Sequence, residues 1–455
     1  MYIVQFLSFI ILSFITLCAL YNFKATVLTW VPFHLLFNAQ VALRYEPPGL
    51  ALVVAVNLVL IIIYAIKRNL NRSNLGNQTN KEPYILKKVV LLTIVSYTFS
   101  ILFATVPVNS GITKMLREFI SGFAVIFLFQ RTLKNEADFK LFVNACIIVA
   151  VLISGLGIYE FVFKDNPVLD FIYYNSPHDV FTKGRMHYIP PQLTGGLEIR
   201  YGMVRANSFF GIHISFGVAC VMFLFLFGVL MRRKWKFLSQ NKCALIILLL
   251  LVATITSNSK APMLGIIILT FSFFRFSQII NFKTLCIAFV GIILLLHFVP
   301  DYMKNLFSLF DEELAEEGKG SSVGLRERQM EVAWSMFMTN PLWGNGVGSI
   351  DILKKIGNNA DILGAESTWL QILPERGLLG AAVYLFHFLI LYSTMLKYVP
   401  RKEVLFFLAS IFTMDSVTGY LDLGLYGCIA VAVRFFYKNK IANRDVINNV
   451  SFATK

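Results

Sequence analysis

The side chains able to do chemistry in this chain are few. Arg326 and Arg328 open a polar, helix-like stretch, and Glu366 begins a second one. Arg200 and Arg205 precede an apolar run, and Lys260 sits in the tight turn Ser257-Asn258-Ser259-Lys260-Ala261-Pro262. A guanidinium fork meets phosphate oxygens bidentately, whereas a lysine meets them as a point charge. A carboxylate near a membrane face can serve as a general base. Each group also has an ordinary reading. Arg326 and Arg328 can be solvated loop arginines paired with Glu327 or Glu331, and Glu366 can be an acid favoured by a helix N-terminus. Arg205 can be an interfacial anchor, Lys260 a snorkelling lysine and His213 a packed core residue.

Two elements must position the central groups. The first is a helix with apolar residues at Leu325, Met330, Ala333, Trp334 and Phe337. Asn340-Pro341 stops it, because the residue before proline avoids the helical region. Arg326 shares a face with Met330, Ala333 and Phe337, while Arg328 points about 200° away on a regular helix. That favours Arg326 and keeps Arg328 as a second candidate. The glycine-rich turn Gly344-Asn345-Gly346-Val347-Gly348 follows. The second element starts near Glu366 and runs through Arg376-Gly377-Leu378-Leu379-Gly380 into a long apolar span. Glu375 and Arg376 read as an ordinary charged interface pair.

The rest of the chain is membrane-like. Of 455 residues, 57% are hydrophobic and only 15% charged, which excludes an ordinary soluble domain. Apolar runs at about 3–21, 26–43, 50–66, 89–108, 115–130, 139–163, 209–231, 243–256, 261–280, 284–299, 378–398, 403–418 and 420–436 predict an all-α polytopic protein. It is a single membrane domain of 12–13 spanning helices, with 26–43 and 115–130 the weakest. The formal charge of +15 follows the positive-inside rule rather than nucleic-acid binding. Basic residues gather in 67–88, 231–242, 397–402 and the tail, so those segments are expected in the cytoplasm. The two long loops, 164–208 and 301–377, then lie on the opposite side, and counting back puts the N-terminus there too if 26–43 crosses. The first run has no basic leader and reads as a retained span.

Six cysteines, all in or beside apolar runs, suggest neither disulfides nor zinc. The acidic run Asp311-Glu312-Glu313-Glu316-Glu317 lacks histidine and reads as a solvated face, so neither metal nor cofactor is expected. No segment fits a nucleotide-sugar domain, and there is no Walker A or GxGxxG pattern. Ionisable groups are nearly absent from the middles of the spans, where a charge costs about 2.5–3.5 kcal/mol. A proton-coupled transporter would carry carboxylates there, so a site at the outer membrane face is favoured.

The stretch from Arg326 through Pro341, Gly344, Gly346 and Glu366-Ser367 to Gly377–Gly380 resembles the C-terminal signature of the O-antigen polymerase and ligase superfamily. Arg200 and Gly211 with ten residues between them, and Arg328 and Gly344 with fifteen, resemble further polymerase patterns. Lys260 departs from the usual Ser-Arg, and Glu366 stands where the ligases have histidine, closer to the polymerase version. The resemblance implies a C-type membrane glycosyltransferase of the bacterial cytoplasmic membrane that acts on polyprenyl-diphosphate-linked oligosaccharides as donor and acceptor. In that reading Glu366 is the base, and Arg326, with Arg328, Arg205, Arg200 or Lys260, binds the diphosphate. A chain-length regulator protein is a possible partner. A ligase using a lipid A core-type acceptor and a flippase for the same lipid-linked glycan are the alternatives.

Overall fold

The computed structural model describes residues 2–37, 41–45, 49–70, 84–105, 108–177, 199–200, 203–273, 304, 311, 313, 323–350, 367–419 and 422–453. They form an all-α membrane protein. The first helix, α1 (Ile3–Phe33), is broken at Asn22 (φ −137°, ψ 80°). Two short paired strands, Ala42–Arg44 and Leu50–Ala51, lead to α2 (Leu52–Leu70). Contacts with α2 show that α1 is a hairpin. Gln5 Nε2 donates to Leu43 O near the start of α2, and Lys67 Nζ near its end donates to Ala19 O and Leu20 O at 3.1 and 2.9 Å. The second arm runs back along α2, with Phe23 against Tyr64 and Trp30 Nε1 donating to Asn57 Oδ1 at 2.8 Å. The lysine thus supplies donors for carbonyls that the break leaves without helical partners. The arms correspond to the runs predicted at 3–21 and 26–43, although the second helix ends at Phe33.

Next come α3 (Lys87–Leu102), α4 (Val108–Glu118), a π turn at Phe119–Phe123 and α5 (Ala124–Thr132). The predicted 115–130 span therefore begins seven residues earlier. Lys114, Arg117 and Glu118 are not at its entrance but along its length. Asn135 caps α6 (Glu136–Phe163) through a reciprocal capping box with Asp138. The short α7 (Pro167–Tyr174) and the strand pair Ile199–Arg200 and Met203–Val204 precede α8 (His213–Arg232). From Phe216 to Leu230 every residue of α8 is buried, so this helix, apolar on all sides, is the axis of the core. Around it pack α6, α9 (Gln240–Thr256), α10 (Lys260–Phe273) and, after α11 (Val323–Thr339) and α12 (Thr368–Met395), the helices α13 (Arg401–Thr418) and α14 (Leu423–Ala453). Phe225 of α8 stacks on Phe407 of α13 with centroids 3.9 Å apart.

Five of the described helical segments are long and apolar enough to cross a membrane: Ile3–Leu36, Leu52–Leu70, Glu136–Phe163, His213–Arg232 and Thr368–Met395. Shorter apolar helices, Gln240–Thr256 and Lys260–Phe273, accompany them. The predicted span at 284–299 lies outside the described residues.

The end of the bundle holding Lys67, Arg232 and Arg401 is fastened by one carboxylate. Glu403 is fully buried and meets Arg232 Nη1 at 3.2 Å, Arg233 Nη2 at 3.3 Å and the Tyr437 hydroxyl. It ties α8, α13 and α14 at this basic end. Removing one member of a buried ionic cluster strands the others, at a cost of about 3–5 kcal/mol. Glu403→Ala is therefore expected to lower the thermal midpoint of the detergent-solubilised protein strongly, while Arg401→Ala, at an exposed position, changes it little; melting followed by size-exclusion chromatography checks both.

Candidate functional site

Helix α12 is not one rod. Thr368 Oγ1 donates to Asp415 Oδ1 at 2.7 Å, and the Tyr384 hydroxyl donates to Oδ2 of the same carboxylate. Sixteen residues of continuous helix would separate those two donors by about 24 Å. The break is at Gly377, with φ 61° and ψ −159°, a conformation open essentially to glycine alone. The arm Thr368–Arg376 folds back against the arm that starts at Leu378, and Trp369 meets Tyr384 edge-on at 5.2 Å.

Such a break frees backbone groups that hydrocarbon cannot solvate. The turn that follows α11 satisfies them. Leu378 N–H donates to Pro341 O at 2.8 Å and Leu379 N–H to Leu342 O at 3.2 Å. In return, Asn345 N–H donates to Pro374 O at 2.7 Å and Gly346 N–H to Glu375 O at 3.2 Å. Ser100 of α3 adds a bond to the same Glu375 carbonyl at 2.6 Å. A Cβ at Gly344 would strike the Glu375 carbonyl, and one at Gly377 would lie 2.6 Å from Leu342 O. The glycines of the signature are thus two halves of one backbone joint.

Charges surround the joint. The buried Glu375 carboxylate accepts from Gly348 N–H at 2.8 Å and pairs with Lys114 of α4 at 3.0 Å. Arg376 instead lies over the Tyr97 ring, 4.7 Å from its centroid, and the Tyr97 hydroxyl donates to Glu118. The two neighbours are therefore not a simple interface pair, because each has a separate partner on α3 or α4.

Of the other predicted residues, Arg326 reaches the last turn of α13. Arg326 Nη1 donates to Val417 O at 2.8 Å, a favourable place for a cation because helix C-terminal carbonyls carry partial negative charge. Trp369 Nε1 donates to Ser416 Oγ at 2.9 Å, and Gly419, which ends α13 in the left-handed region, lies against Thr368 N. Arg328 is exposed. Helix α10 runs antiparallel to α13, since Ser410 Oγ donates to Gly265 O at 2.9 Å and Phe271, further along α10, meets Phe406, earlier in α13. Lys260 at the start of α10 is accordingly at the same end as Asp415. Arg205 is buried beside it: Ala206 N–H donates to Thr256 O, four residues before Lys260. Arg200 pairs with Met203 in the short strands. Glu366 lies outside the described residues, one peptide bond from Ser367, whose hydroxyl caps α12 at Trp369 N. Of the acidic run, Asp311 and Glu313 are described and exposed.

The Arg205 loop is held by a residue without an obvious sequence signal. Glu160, fully buried near the end of α6, accepts from Asn207 N at 2.8 Å, Ser208 N at 2.7 Å and Asn166 Nδ2 at 2.7 Å. Tyr384, Thr368, Tyr97, Lys114 and Glu118 were also not evident in the sequence. An apolar run read as continuous gives no hint that its two ends meet.

Residues 244–385 match the family model described as O-antigen ligase. No curated protein matches the chain. The match covers about a third of the chain, from α9 through the joint, and supports the O-antigen polymerase and ligase superfamily.

The joint makes a direct prediction. Gly377→Ala adds backbone strain of about 1–3 kcal/mol and a collision with Leu342 O, so it should abolish activity and reduce accumulation. Gly155→Ala, where an added Cβ meets nothing within 4 Å, should do neither. Immunoblots of membranes and glycan ladders from the two strains check the contrast.

Proposed function

We propose that this protein polymerises polyprenyl-diphosphate-linked oligosaccharide repeat units at the outer face of the bacterial cytoplasmic membrane. The observation that carries the reading is the hub at the end of α13, where Arg326 and the start of α12 meet around Asp415. The Arg326 guanidinium stands at the same helix end that Ser367 and Thr368 reach, which supports a joint role for Arg326 and the residue before Ser367.

In the reaction, a hydroxyl of the acceptor sugar attacks the anomeric carbon at the reducing end of the donor glycan. The bond from that carbon to the diphosphate oxygen breaks, and the hydroxyl proton passes to a base. Glu366 is assigned as that base, with Asp415 next in line. Asp415 is already engaged by Thr368 and Tyr384, which orient it toward the start of α12. The charge that grows on the leaving diphosphate is met by Arg326, with Arg205 and Lys260 at the same end of the bundle. Preorganised cations of this kind act most strongly where water is excluded. Arg328, being exposed, is set aside.

The description of the matching family favours one second reading, a ligase that hands finished glycan to a lipid A core-type acceptor. Product analysis in a deletion strain separates the two. A single repeat unit left on the final acceptor supports the polymerase, whereas full-length chains left on the carrier support the ligase.

Glu366→Gln keeps shape and removes the proton acceptor, so it should slow polymer formation about 10²–10⁴-fold. Arg326→Lys should be impaired, but less than Arg326→Ala, because it keeps the charge and loses the fork. Rates per unit of accumulated protein, measured on purified lipid-linked units, check both. Normal polymer from Glu366→Gln would transfer the base role to Asp415.

A further inference from the structure

Helix α11 is tied at both of its ends to one end of the bundle. Near its start, Arg326 Nη1 donates to Val417 O in the last turn of α13. At its close, Thr339 Oγ1 donates to Asn345 Oδ1 at 2.9 Å, and Asn345 O accepts from Thr105 N–H, three residues beyond α3, at 3.0 Å. Both ties lie opposite the Arg401 end, because α13 starts at Arg401 and the arm of α12 that leaves Leu378 runs back toward it. From Arg326 to Thr339 the helix covers about 20 Å, so it lies across that end of the bundle rather than along the spans.

Three surfaces divide this helix. Gln329, Ala333 and Phe337 are buried, and α11 packs against α12. Arg328, Glu331 and Ser335 are exposed and polar. On the remaining flank Met330, Trp334 and Met338 recur every four residues, and each is more than half exposed. Glu327, exposed and in line with Trp334, ends this stripe at one side, and the equally exposed Leu342 prolongs it at the other.

The stripe joins a surface that a spanning helix turns to lipid. Along one face of α3, Leu91, Ile94, Thr98 and Leu102 are exposed from near its first turn to its last. Leu342 leads into Trp343, which stacks on Phe99 at 4.6 Å and on the exposed Phe103 at 5.7 Å, beside Leu102. The apolar surface therefore runs from the side of α3 round onto α11. A continuous apolar patch of this size needs an apolar cover, and a membrane already covers its α3 portion. A helix with one apolar and one polar flank, lying across the end of a membrane bundle, fits the boundary between hydrocarbon and water, where tryptophan is favoured.

We infer that α11 is an interfacial helix whose stripe Met330, Trp334, Met338 and Leu342 is seated in the lipid leaflet at this end of the bundle, with Arg328, Glu331 and Ser335 facing water. The seat fixes the depth of Arg326, one turn before Met330, at the level of the lipid headgroups. The membrane itself thus completes the fold around the joint.

The test is fluorescence quenching of the full-length protein in nanodiscs of phosphatidylethanolamine and phosphatidylglycerol. Bimane is attached to Met330→Cys, Trp334→Cys, Met338→Cys, Arg328→Cys or Ser335→Cys, all at exposed positions, and labelled wild type supplies the background of the native cysteines. The three stripe positions are expected to be quenched several-fold more than the two polar ones by phospholipid carrying a nitroxide, and several-fold less by aqueous iodide. A nitroxide high on the acyl chain should act more strongly than one at its end, since the apolar face of such a helix reaches only about 5–10 Å into the headgroup boundary. Iodide quenching of the stripe as strong as that of Ser335→Cys would place it in water and overturn the inference. Shielding of the stripe from both quenchers would place protein over it, a second copy or another partner, and overturn it equally. The readout contains no glycan, so its result is independent of whether the protein is a polymerase.

Discussion

The architecture depends on one constraint: a broken helix inside a membrane protein must find partners for the backbone groups it exposes. Gly377 breaks α12, and the turn Pro341–Gly346 supplies both acceptors and donors to the two sides of the break. Without that exchange the arm Thr368–Arg376 could not fold back. Thr368 and Tyr384 would then be a full span apart rather than on one carboxylate. The α13 hub, the approach of Arg326 and the placement of Ser367 all follow from this joint.

Charge is handled by the same economy. Each buried carboxylate serves as an organiser of backbone or of neighbouring helices. Glu375 fixes the glycine turn through Gly348 N–H, Glu160 fixes the Arg205 loop through Asn207 and Ser208, and Glu403 fastens three helices at the basic end. These are charge-assisted bonds, roughly twice as strong as neutral ones, and they replace the solvation that the bundle removes. The consequence is a polar framework within an apolar bundle. The cations of the proposed site are then presented from rigid elements rather than from loose loops.

Much of this was legible in the sequence because it has local signatures. Proline, the glycine turn and apolar run lengths announced α11, the turn and most spans. The face shared with Met330, Ala333 and Phe337 favoured Arg326 and kept Arg328 as a second candidate; Ala333 and Phe337 are buried, whereas Met330 is exposed. What escaped notice was long-range. The fold-back of α12 turns on the geometry of one glycine, Gly377, at the entrance of the run drawn at 378–398. Arg117 and Glu118 stood at the start of the run drawn at 115–130; the packing of Glu118 against Tyr97 and of Lys114 against Glu375 shows that the helix has already begun. Glu160 resembled any carboxylate at a span end. Its three partners come from residues six and almost fifty positions away.

The π turn at Phe119–Phe123 divides the labour of a single crossing. Beyond it, α5 packs against α14, where Gly427 lies on Ile126 and Gly424 on the Ser121 carbonyl. Before it, α4 presents Lys114 and Glu118 to α12 and α3. In a uniform α-helix, deleting one residue rotates everything beyond it by about 100°. A π turn is one residue more than the regular helix needs, so it absorbs such a rotation locally. The half before the π turn can therefore change register while the half that anchors the bundle keeps its packing.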